Sequence, residues 1–263
     1  MKNDKRIIIL FLVITFGLMF GAHLVVALIL NADLLLFNNP IVQALTILGG
    51  GAPAFAALFI VYKRYSNDEQ KQYWKSVYQL KVPWYWWVFI GLAPVLLGFI
   101  TNLIRYSNLS FFTWSNEYIL RIPITFAIMI FAGGAEELGW RGILQRHLHG
   151  KIPLAVIGLI IGVIWGVWHL PLFFIDAFAH YDFVFITYLL TTVLFSLWMT
   201  GVVYKTNRIG LAVLMHAMLN TMGAFGLGIP MIINPYILVV LISLIVISLG
   251  WLMSLKPSVE ETS

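Results

Sequence analysis

Eight apolar runs, each near the ~20 residues a helix needs to cross a bilayer, fill most of this 263-residue chain, at about 7–30, 41–62, 84–104, 122–147, 154–174, 183–204, 209–226 and 236–255. Inside hydrocarbon every backbone N–H and C=O must find a partner within its own segment or a closed barrel, so runs of this length read as helices. The composition agrees, with 61% hydrophobic and 10% charged residues against about 25% charged in soluble domains. The expected fold is all-α: a polytopic membrane protein of about eight transmembrane helices. No repeat of about 20–50 residues and no Pro-, Gly- or Ser-rich linker divides it, so residues 1–263 are read as a single integral-membrane domain. The opening MKNDKR before an apolar run has the look of a signal peptide. Ile7–Leu30 is longer than the about 7–15-residue apolar stretch of such a leader and has no convincing cleavage site, so it is read as a retained first span.

Charge then sets the orientation. With the N-terminus in the cytoplasm, all of the 16 Lys and Arg except Arg105 and Arg121 fall on the inner side. They are Lys2, Lys5, Arg6, Lys63, Arg64, Lys71, Lys75, Lys81, Arg141, Arg146, Lys151, Lys205, Arg208 and Lys256. That asymmetry is the one expected of an even number of spans with both termini cytoplasmic, in a multi-pass protein of the cell membrane. Basic residues placed this way orient spans and meet anionic lipid, so the net charge of +5 does not point to nucleic acid. The absence of cysteine excludes disulfides, thiolate metal sites and a cysteine nucleophile.

Polar residues inside the spans are costly and carry the functional reading. His23 in the first span is expected to bond a neighbouring helix. Gly49–Pro53 (GGGAP) interrupts the second span as a packing hinge. Lys63–Lys81 mixes charge with Tyr73, Trp74, Val77, Tyr78 and Leu80, a pattern suited to a helix lying on the inner leaflet. Trp84–Trp87 begins the third span as an aromatic belt.

The densest cluster is Gly133–Arg141, GGAEELGWR. Glu137 and Arg141 stand at i, i+4 and can pair, while Glu136 is turned away by about 100° on a regular helix and is left for chemistry. Trp165 and His169 share a face on the fifth span, as do His216 and Asn220 on the seventh. A hairpin turning near Gly150–Pro153 sets Glu136 and His169 at one depth, roughly 23–26 Å from the turn at about 1.5 Å per residue. A one-turn offset between hairpins brings all four polar groups together, with access from the cytoplasmic side. Such a set suits hydrolysis. Glu136 and His169 can hold and deprotonate a water, and His216 and Asn220 can donate to the oxyanion formed when it attacks a carbonyl. Arg141 would hold Glu137 or bind a substrate carboxylate.

These residues, Glu136-Glu137-x-x-x-Arg141, then Trp165-x-x-x-His169, then His216-x-x-x-Asn220, resemble the CPBP family. Its members include the type II CAAX prenyl endopeptidases and their bacterial bacteriocin-processing and Abi-like immunity relatives. The resemblance covers a core at about 118–226 and implies an eight-helix, metal-independent intramembrane glutamate protease without a cofactor. In it Glu136 and His169 activate water, and His216 with Asn220 forms the oxyanion hole. Where the family commonly has phenylalanine four residues before the first histidine, this chain has Trp165. The substrate so implied is a membrane-associated or lipidated peptide or protein tail, entering from the membrane or the cytoplasmic side. Three alternatives stay open: a zinc protease using Glu136, His169 and His216 as ligands, a non-proteolytic scaffold or immunity protein of the same fold, and a transporter relaying protons.

Overall fold

Because each apolar run must satisfy its backbone internally, the computed structural model consists of helices with short connections, and no strand occurs among the described residues. These are residues 2–111 and 115–255; Lys256, counted above on the inner side, lies outside them. The helices are α1 (Lys2–Asn31), α2 (Pro40–Gly50), α3 (Ala52–Arg64), α4 (Asn67–Tyr78) and α5 (Trp84–Tyr106). Next come the long span α6 (Tyr118–Leu148) and α7 (Leu154–Trp168). The last three are α8 (Phe185–Thr206), α9 (Ile209–Ala224) and α10 (Pro235–Ser254).

Among the described residues six helices are long and apolar enough to cross a membrane, and α2 with α3, bent by 62° at Gly51, makes a seventh if the pair is one broken span. The bend falls where the GGGAP sequence predicts a hinge. The remaining expected span, α9, has 16 residues. It is short because it is central: α4, α5, α6 and α8 all pack around it, and it is buried nearly all round, from Ile209 through Met222.

Glycines decide how closely the neighbours approach. On α7, Gly158, Gly162 and Gly166 recur every four residues, and a methyl at Gly162 would stand 2.6 Å from the Val193 Cα of α8. Small residues at this spacing let two backbones meet where hydrophobic driving force is lacking. α8 thereby lies buried between α7, α9 and α10.

At the end holding the N-terminus, Asp4 accepts from His147 at 2.8 Å and pairs with Lys151, which ties α1 to the end of α6. α4 is capped by a reciprocal Ser66–Glu69 box, and the bonds from Ser66 hold the Glu69 carboxyl below its ordinary pKa. This helix does more than lie on a surface. Tyr73 is fully buried, and its hydroxyl donates to Leu138 O at 2.8 Å, under the polar cluster of α6. His23 also departs from expectation, since its Nδ1 bonds Met19 O of its own helix at 2.9 Å. What it meets on the neighbour is Gly49, where a methyl would stand 2.4 Å from the ring.

Candidate active site

The glycines of the GGAEELGWRG stretch explain why α6 is irregular there. Added methyls would collide with Val213 O of α9 at Gly134 (2.6 Å), with Pro53 O of α3 at Gly139 (2.5 Å) and with the Tyr73 ring at Gly142 (2.6 Å). Squeezed from three sides, the chain passes from a 3₁₀ turn (Gly134–Glu136) through one α turn (Glu137–Gly139) into a π turn (Trp140–Gln145). Such interruptions within a long helix are common at functional sites.

Glu136 is buried but not free of partners. One carboxylate oxygen, Oε2, accepts from the indole N–H of Trp165 at 2.9 Å and of Trp140 at 3.3 Å. The i, i+4 spacing puts Trp140 on the face of Glu136, whereas nothing in the sequence marks Trp165 as a donor to it. Trp165 also accepts, through its backbone carbonyl, from Nδ1 of His169 at 2.8 Å. One residue thus orients both members of the proposed water-activating pair. With the proton fixed on Nδ1, the other ring nitrogen of His169 keeps its lone pair. His169 itself caps α7, which stops because Pro171 cannot continue it.

Glu137 joins the second pair. Its Oε2 accepts from Arg141 Nε at 2.7 Å and its Oε1 lies 2.9 Å from His216 Nδ1. Arg141 also donates to α8, reaching Thr200 Oγ1 at 2.7 Å, Ser196 O at 3.3 Å and Ser196 Oγ at 3.1 Å. Buried, and outside the cavity lining described below, Arg141 is placed as a strut for Glu137. Ser196 and Thr200 gave no sequence signal, being ordinary small polar residues in an apolar run.

Asn220 lies one turn beyond His216. Their side chains flank Gly133, where a methyl would stand 2.0 Å from Asn220 Nδ2 and 3.4 Å from His216 Nε2. Gly133→Ala is therefore expected to displace the Asn220 amide while α6 and α9 still pack, since only the end of a flexible side chain must move. Any catalytic activity of the site should fall by at least tenfold with normal membrane expression and thermal stability; unchanged activity would show that Asn220 is not held there for chemistry.

Glu136, His169, His216 and Asn220 all line one cavity of about 620 Å³. Its wall includes His180, which stacks on His169 (ring centroids 5.6 Å apart, planes at 18°), and Tyr188, whose ring lies 5.2 Å from both. Burial pushes His180 down to about 4, so it is neutral at neutral pH. The cavity does not open towards the Gly150–Pro153 turn, as the depth argument from sequence expects. Trp140, Trp168, Tyr73 and Phe11 fill that end. Among the described residues no group of three or more His, Cys, Asp or Glu side chains is placed to hold a metal ion.

Residues 118–222, which contain all four of these side chains, match the model of the family described as type II CAAX prenyl endopeptidase Rce1-like. A curated relative, CAAX prenyl protease 2 of Methanococcus maripaludis, is 26% identical over 141 residues, 50% of this chain and 51% of its own. Through this segment the chain is similar to the type II CAAX prenyl endopeptidases. The match spans about half the length of that relative. The matched segment runs from the start of α6 to near the end of α9, so it includes both the strut on Glu137 and the Trp165 bridge.

Proposed function

We propose that the protein is an intramembrane endopeptidase in which Glu136 and His169 activate a water for attack on a peptide carbonyl. The observation that carries this is the Trp165 bridge, which fixes one oxygen of Glu136 and one nitrogen of His169 and leaves the other atom of each for the water. The water gives its proton to Glu136 as its oxygen bonds to the carbonyl carbon. Collapse of the tetrahedral intermediate breaks the C–N bond, and the same proton goes to the departing amine. The negative oxygen formed in between is met by the Asn220 amide and by His216 Nε2. For His216 to donate there while Nδ1 bonds Glu137, both ring nitrogens must carry protons. An anionic Glu137, pinned by Arg141, is the partner that this state needs.

The resemblance to a prenyl protease supports a membrane-associated or lipidated peptide as the substrate class. Membrane proteomes from cells with wild-type and Glu136→Ala protein identify it as the peptide whose new terminus depends on Glu136. With that peptide as substrate, purified enzyme treated with a strong chelator is expected to keep its rate. Loss of activity that stoichiometric zinc restores would favour the zinc protease instead.

A further inference from the structure

The walls of the cavity differ at its two ends. Towards the chain terminus, Trp140 and Trp168 meet edge to face at 5.8 Å and Phe11 closes on Trp140 at 5.4 Å. Beneath them Tyr73 of α4 is bonded to Leu138 and packed on Gly142. This plug is buried throughout. The exposed wall residues are Arg105, Ala132, Ala179, Gly223, Ala224 and Gly226. All but Ala132 sit at the helix ends and connections farthest from the chain terminus, after α5, α7 and α9; Ala132 lies partway down α6. The sealed end carries the basic residues: Lys63 and Arg64 at the end of α3, Lys71 and Lys75 on α4, Lys151, Lys205 and Arg208. The open end carries Arg105 and Arg121, alongside Asp33, Glu117, Asp176 and Asp182.

Loops rich in Lys and Arg stay in the cytoplasm. From the two asymmetries together we infer that the site is served from the non-cytoplasmic face, so its substrates are peptide segments on, or sunk in from, that face. This rests on the protease reading above and narrows its substrate class, because lipidated tails displayed in the cytoplasm would meet the sealed end. Exported peptides and the outer segments of membrane proteins meet the mouth.

The chain has no cysteine, so introduced ones report position directly. Ala179→Cys and Ala224→Cys at the mouth, and Asn67→Cys and Lys205→Cys at the sealed end, are treated with a membrane-impermeant maleimide in right-side-out and inside-out vesicles. The first two should label only in right-side-out vesicles and the last two only in inside-out ones, with two positions per face guarding against a misfolded variant. In a second arm, new peptide termini that vanish in the Glu136→Gln variant should map to non-cytoplasmic segments. Labelling of the mouth cysteines in inside-out vesicles, or Glu136-dependent termini in cytoplasmic segments, overturns the inference. Correct labelling with no Glu136-dependent terminus supports the placement of the mouth and defeats the protease reading instead.

Discussion

Replacing Glu136 by glutamine is expected to slow peptide cleavage by about 10²–10⁴-fold, the usual cost of losing a general base. The amide oxygen of glutamine can still accept from the Trp165 and Trp140 indoles, so the side chain keeps its place and loses only its ability to take a proton. Membrane insertion, thermal stability and substrate binding should therefore stay near wild type, and the loss should appear in single-turnover rates. A scaffold or immunity protein would be indifferent to the change. Full biological function in Glu136→Gln at normal expression would end the enzymatic interpretation.

The neighbouring carboxylate predicts a different pattern. Arg141→Met removes the strut and leaves the Glu137 carboxylate, buried and 2.7 Å from the lost guanidinium nitrogen, without its main compensation. Breaking one partner of a buried pair costs roughly 3–5 kcal/mol, so the variant should unfold far more readily in a detergent thermal-shift assay. Neutralising both in Glu137→Gln with Arg141→Met should recover much of that stability, because two uncharged groups carry no such penalty. It should not recover catalysis, since His216 would still lack an anionic partner at Nδ1. If the double variant regains both stability and turnover, the Glu137–His216 contact is structural only.

What the sequence reveals follows from which forces are local. Span positions depend on runs of apolar residues and were legible, as was the Gly49–Pro53 break. The Glu137–Arg141 pair is a local i, i+4 contact and was legible too. The Ser196 and Thr200 contacts to Arg141 were not, because they come from α8 and depend on how closely the glycine stripe lets α7 and α8 approach. Similarly, the i, i+4 spacing of Trp165 and His169 predicts a shared face; that the tryptophan supplies an N–H to Glu136 depends on the depth at which α6 leaves its regular helix. The direction of the cavity was misjudged for a related reason. Counting about 1.5 Å per residue assumes straight helices of one kind, whereas α6 passes through 3₁₀ and π turns, and nothing in that count shows which end the aromatic rings of α1, α4 and α6 block.

The connection after α9 is tied on both flanks. Asn102 Nδ2 donates to Gly228 O at 2.7 Å, Thr187 Oγ1 to Ile232 O at 2.8 Å, and Val184 N to Met231 O at 2.8 Å. Gly98 presses directly beneath it, where a methyl would stand 2.0 Å from Leu227 O. A rim fastened in this way acts as a fixed gauge. An intact α-helix is about 10–12 Å across with its side chains and has its carbonyls engaged along the axis, so under the proposed function a transmembrane substrate would have to unwind locally before its scissile carbonyl could reach Glu136. Cleavage should then favour stretches where helix is already weak, and a glycine or proline placed near the cut site of a poor substrate should make it a better one.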